Sequence, residues 1–262
     1  MLDSLFDLPL WIAGLGIILF LSIFGIVGLF IVRSRVLPRL NVKVEDSEFT
    51  GSMVQTIMVF YGLAVALIAV SVWETYSDVS NIISREATTL ASLDRDVSGY
   101  PDPARSVLQD ELRDYIQYII HEAWPLQQRG QIPTGGVAKM TVFENTLVAF
   151  EPANESQKIL HAEALTAYNH MIEARRLRLD SVETALPGVM WAVIIAGAAI
   201  GMSACFFFKV ADARLHGILV TLLAVFMGLV IFMIFALDRP FRGGLGLKPE
   251  PYQLIYDQLM KK

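Results

Sequence analysis

The chain has 262 residues, 54% of them hydrophobic and 18% charged, with a net charge of −5 and one cysteine. The acidic balance gives no sign of a nucleic-acid partner, and a lone cysteine excludes an intrachain disulfide. A mean hydropathy of +0.51 fits an integral membrane protein carrying one modest polar domain.

Asp3 and Asp7 precede the first apolar run, Leu10–Val32, which contains no Asp, Glu, Lys or Arg. With no basic segment before it and basic residues after it, the run reads as a retained membrane helix rather than a cleaved signal peptide. Three more uncharged runs follow at Met53–Trp73, Gly188–Phe208 and Gly217–Leu237. At about 1.5 Å per helical residue each reaches roughly 30 Å, the thickness of a hydrocarbon core. Lipid cannot hydrogen-bond a bare backbone, so the runs are expected to cross it as helices. The loop after the first run carries Arg33, Arg35, Arg39 and Lys43, and the loop after the third carries Lys209 and Arg214. By the positive-inside rule these loops are cytoplasmic, and the insert and both termini lie outside; Arg239 and Arg242 after the fourth run argue the other way.

The polar insert reads as helices. Val79, Ile83, Glu86, Leu90, Leu93 and Val97 form one stripe of a helix over 76–97 that no breaker separates from the second membrane run. The turn residues from Ser98 to Pro103 end it. A helix over 104–124 carries Leu108, Leu112, Tyr115, Ile119 and Ala123 and closes at Pro125. A shorter helix is expected over 137–150. A last one, N-capped by Asn154, is expected over 155–186 with Leu165, Tyr168, Ile172, Arg175, Leu179, Val182 and Leu186 on its seam. No alternating strand pattern stands out. The expected fold is an all-α integral membrane protein, with four transmembrane helices (2+2) and an inserted extramembrane helical bundle. Its parts are an N-terminal hairpin (1–73), a helical domain (74–186), a C-terminal hairpin (187–237) and a tail (238–262).

No membrane run holds an ionisable residue that could relay protons, but a channel needs none. On the second run Gln55, Val59, Gly62, Ala66, Ala69 and Trp73 share one face that is small and mildly polar. Such a face lines a pore or packs tightly on a neighbour with Trp73 as interface anchor. The third run, with Gly197 and Gly201, suits close packing, and the fourth reads as mainly lipid-facing. Two charges fall on apolar stripes, Glu86 and Arg175; a buried charge needs a partner, so Glu86 is expected to pair with Arg175 or Arg178. Asp238 and Arg239 leave the fourth run beside Pro240, either as a structured stop or as a charged ring at a pore mouth, with Glu74 in the same boundary layer. His121, His161, His170 and His216 show no metal-ligand spacing, and no catalytic constellation or cofactor motif is present.

Taken in order, Trp73-Glu74-Thr75-Tyr76, Glu86-Ala87, Glu122-Ala123-Trp124-Pro125, Arg175-Arg176-Leu177-Arg178, Leu186-Pro187 and Leu237-Asp238-x-Pro240-Phe241-x-Gly243 resemble the bestrophin-like family of bacterial and plant membrane proteins. The resemblance implies two pairs of membrane helices around a helical domain, and points towards oligomeric anion channels. The function expected is therefore a homo-oligomeric ion channel in a lipid bilayer, in the inner membrane of a bacterium, passing inorganic ions. The alternative is a non-conducting scaffold or sensor whose helical domain binds a partner protein or ligand.

Overall fold

A computed structural model describes residues 6, 8–40, 46–208 and 210–260. Asp3, Asp7, Lys43 and Lys209, used above for topology, lie outside the described residues. All regular structure among the described residues is helical: α1 (Leu10–Ile31), α2 (Asp46–Val97), α3 (Ala104–Tyr118), α4 (Trp124–Gln127), α5 (Gly136–Val148), α6 (Glu155–Asp180), α7 (Gly188–Cys205), α8 (Ala213–Leu237) and α9 (Glu250–Ile255). Helices long and apolar enough to cross a membrane are found at Leu10–Val36, Phe49–Val97, Gly188–Cys205 and Ala213–Leu237. The chain divides into two compact units. The first holds Met1–Glu74 and Ala185–Asp238, and the second Thr75–Thr184 and Arg239–Lys262.

In the first unit small residues let helices approach closely, the means of association where lipid is as apolar as leucine. Gly14 of α1 lies under Phe232 of α8, and Gly228 of α8 lies against Ile18 of α1. Gly197 and Gly201 of α7 receive Tyr61 and Met58 of α2, and the Tyr61 hydroxyl donates to the Ile194 carbonyl at 3.2 Å. Helix α8 departs from its expected lipid-facing role, being the most buried of the four candidate spans. Val220, Ala224, Met227, Ile231 and Ile234 recur at helical spacing and fill the core, and composition cannot distinguish such a stripe from a lipid-facing one.

The second unit is built around Leu90, Leu93, Leu108, Leu112, Tyr115, Ile116, Ile119, Phe143 and Leu147, all fully buried. The helix beginning at Ala104 does not stop before Pro125. A π-helical segment, Ile119–Ala123, leads into α4, widening the helix where the proline ring would clash with the preceding turn. Helix α6 starts at an Asn154 cap, whose Oδ1 accepts the Gln157 amide at 2.9 Å while the Gln157 side chain returns to the Ala153 amide. It ends at Asp180 and not at 186. The Ser181 hydroxyl donates back to the Leu177 carbonyl, a 3₁₀ turn follows, and Thr184 is already extended as the chain approaches Pro187. Residues after 238, expected as a tail, pack into this unit: Phe241 and Tyr252 are core residues, and α9 begins with Pro251 in its first turn.

Candidate functional site

Three sites follow from the residues singled out in the sequence. The first is the outer face of α2. Val54, Val65 and Val72 are buried in the first unit, and Met58, Tyr61 and Ile68 pack beside them. At 3.6 residues per turn, Gln55, Val59, Gly62, Ala66 and Trp73 point about 100° away from this buried row. All five are exposed in the single chain, and Ala69 is half-buried. A Cβ built on Gly62 would meet nothing within 4 Å. A further 100° round lie the bulky exposed residues Phe60, Leu63, Leu67 and Val70. Helix α2 thus carries a packed face, a small and mildly polar face, and a large apolar face.

The second site is ionic. Glu86 of α2 is fully buried in the second unit and accepts four hydrogen bonds. Arg178 of α6 donates from Nε to Oε2 at 2.5 Å and from Nη2 to Oε1 at 3.1 Å, a two-pronged arrangement that fits the planar guanidinium. The Tyr115 hydroxyl donates to Oε1 at 3.2 Å and the Tyr252 hydroxyl to Oε2 at 2.9 Å. The Arg178 guanidinium also stands 5.8 Å from the centre of the Tyr252 ring. Burial, with the Glu86 carboxylate alongside, holds both phenols well above the ordinary tyrosine value, so each keeps the proton it donates. Burial alone would lower the pKa of Arg178, but the adjacent carboxylate overrides it and the guanidinium stays charged. Arg175, one turn earlier, does not join the pair. Its Nη2 lies beside Gly136, where a Cβ would sit only 3.2 Å away. Nothing in the sequence points to Tyr252 itself; the proline in the first turn of α9 is a local signal of an ordered segment there.

The third site is the end of α8. Asp238 is buried, and its carboxylate accepts the Leu186 amide at 2.6 Å and the Trp191 indole at 3.3 Å. It therefore ties the end of α8 to the start of α7, where Pro187 cannot supply an amide. Arg239 belongs to the second unit and Glu74 is exposed at the end of the first. In the first unit Arg33 donates to the carbonyls of Val210 and Ala211 at 2.9 and 3.1 Å, holding the loop between α7 and α8.

This architecture is shared with known proteins. The model of the bestrophin-like domain matches residues 19–252. No curated protein matches the chain. Among solved structures, one similar in fold is a membrane protein carrying a proline-to-alanine substitution. It shows 9% identity and a TM-score of 0.71, with 93% of this chain and 97% of that chain covered. Another is a bacterial bestrophin homologue from Klebsiella pneumoniae carrying a leucine-to-threonine substitution. There the identity is 10% and the TM-score 0.69, with 93% and 98% covered. Four apolar helices and a family match over most of its length make this an integral membrane protein, and the chain belongs to the bestrophin-like family.

Proposed function

We propose that the protein is a homo-oligomeric ion channel of the lipid bilayer, that α2 lines its path, and that it conducts inorganic anions. The observation that carries this reading is the uncovered small-residue face of α2. Gln55, Val59, Gly62 and Ala66 are exposed on a helix whose other sides bear either a packed row or bulky apolar side chains. Bulky apolar residues suit lipid, whereas a face of small side chains with an amide leaves room for ions and water. Four apolar helices offer one chain few polar side chains to wall a route, so further copies supply the remaining walls in this reading. The spans carry no charge of either sign, so the preference for anions rests on the resemblance to bestrophins. Membership of the bestrophin-like family and the likeness to a bacterial bestrophin homologue support the channel class.

In this reading the hairpins 1–73 and 187–237 form the membrane part in a 2+2 arrangement. Residues 74–186 form an extramembrane helical bundle. The basic loops containing Arg33, Arg35, Arg39 and Arg214 lie in the cytoplasm, with the bundle and termini on the other side of a bacterial inner membrane. Glu74, Asp238 and Arg239 mark the boundary layer, Asp238 as a structural tie and Glu74 as an exposed charge near the mouth.

Flux of purified protein in liposomes tests the proposal. Gln55→Cys, Gly62→Cys and Ala66→Cys, made in a Cys205→Ala background, are expected to lose anion flux when treated with a charged thiol reagent. Phe60→Cys and Leu67→Cys are expected to keep it. Assembled protein that stays silent over a range of pH, calcium and membrane tension refutes conduction. Block confined to the Phe60 and Leu67 variants refutes the assignment of the lining face.

A further inference from the structure

Within the second unit, α2 and α6 run antiparallel. Glu86 meets Arg178 at one end, and Gly99 lies against Leu160 at the other. Between these contacts an open groove of about 370 Å³ runs along the two helices. Arg85 stands towards the Glu86 end, Thr89 and Ser92 follow, and Arg95 and Asp96 reach the far end, where Glu163 enters from α6; His170 also lines the α6 wall. Clefts between the helices of a bundle are common ligand sites, and this volume falls within the range of about 300–1,000 Å³ seen for them.

The charges in this cleft are not locked into close ion pairs. Among the described residues no ion pair within 4 Å involves Arg85, Arg95, Asp96 or Glu163, although both signs are present. The helix geometry explains why. Arg95 and Asp96 are sequence neighbours and so point about 100° apart, while Arg85 lies roughly 16 Å along the axis from Asp96. At the far end Asp96 feels attraction from Arg95 and repulsion from Glu163. Two carboxylates against one guanidinium leave that end net negative, whereas Arg85 leaves the near end positive.

We propose that the α2–α6 cleft binds an elongated zwitterion, its acid group on Arg85 and its ammonium on Asp96 and Glu163. A plain anion on Arg85 leaves the far-end carboxylates without a ligand group, and a plain cation on those carboxylates leaves Arg85 without one. Only a ligand bearing both charges, set apart by a short chain, satisfies both ends at once. The hydroxyls of Thr89 and Thr166 donate to the carbonyls of Glu86 and Ala162, one turn back in their own helices. Their lone pairs therefore remain as weak acceptors along the wall.

The test uses three probes of equal chain length with the full-length protein in detergent micelles: 6-aminohexanoate, adipate and 1,6-diaminohexane. Titration calorimetry is expected to show 6-aminohexanoate binding once per chain, at least about tenfold more tightly than either probe bearing one sign of charge. Arg85→Gln and Glu163→Gln, both at exposed positions, should each weaken it by about tenfold or more while the melting temperature of the unliganded protein stays unchanged. Absence of binding at millimolar concentration overturns the proposal. So does adipate or diaminohexane binding as tightly as the zwitterion, or binding insensitive to both substitutions. Because the readout is binding, a silent channel in the flux assay leaves this result untouched, and the two proposals stand or fall separately.

Discussion

Replacing Glu86 by glutamine removes one charge from the buried pair and changes almost nothing else. The side chain keeps its length and shape, but Arg178 is then a guanidinium at 1% exposure with no counter-charge. One carboxylate oxygen that accepted from Arg178 and a tyrosine becomes an amide that cannot accept. Breaking a buried ion pair from one side costs about 3–5 kcal/mol. For a unit of this size that corresponds to a fall in melting temperature of roughly 6–20 °C. Pairing Glu86→Gln with Arg178→Met removes both charges. The double variant should recover much of the loss, because a buried pair replaced by neutral groups of similar volume is often tolerated. Thermal unfolding of detergent-solubilised protein, followed by circular dichroism for the parent, both single variants and the double variant, measures the coupling directly. If Glu86→Gln melts within about 2 °C of the parent, or if the double variant loses the sum of the two singles, the pair is not the electrostatic centre of this unit.

Tyr252→Phe deletes one hydrogen bond to a charged group and should cost about 1.5–3 kcal/mol in the same melt. Alkaline stability carries a second signature. Tyr115 and Tyr252 hold their protons in the folded state above the ordinary value of about 10, whereas the unfolded chain releases them there. Above that pH the unfolded state binds fewer protons than the folded one, so stability must fall as pH rises, and Tyr252→Phe should flatten the decline; a slope unchanged by the substitution argues against the assignment. Gly197→Ala sets a methyl 2.4 Å from the Tyr61 ring and is expected to cost about 1–3 kcal/mol, whereas Gly16→Ala, in the interior of α1 with nothing within 4 Å, should be neutral or stabilising by up to about 1 kcal/mol. Equal melting temperatures for the two alanine variants would remove the α2–α7 contact from the account. Asp238→Ala leaves the Leu186 amide and the Trp191 indole without their acceptor and should lower stability by about 1–3 kcal/mol, with Asp238→Asn milder; a neutral Asp238→Ala shows that other groups hold the start of α7.

Much of this protein is legible in one dimension. Uncharged runs of twenty residues announce helices able to cross a bilayer, because the length and the lack of hydrogen-bonding solvent leave the backbone no alternative. The periodic stripes of the insert and its turn residues locate the starts of α3 and α6, and the position of Glu86 on an apolar stripe marks it as a charge in need of a partner. Tertiary structure alone decides which partner answers. Arg175 and Arg178 differ by less than a helical turn, and the aim of the guanidinium depends on how α2 and α6 are rotated against each other. The roles of Tyr252 and Asp238 are equally hidden, since their contacts span 166 and 52 residues. The burial of α8 escapes composition for the same reason: lipid and protein core favour the same side chains, and only packing tells them apart. Local chemistry thus determines where helices form and which charges are costly, while long-range geometry determines how those costs are met.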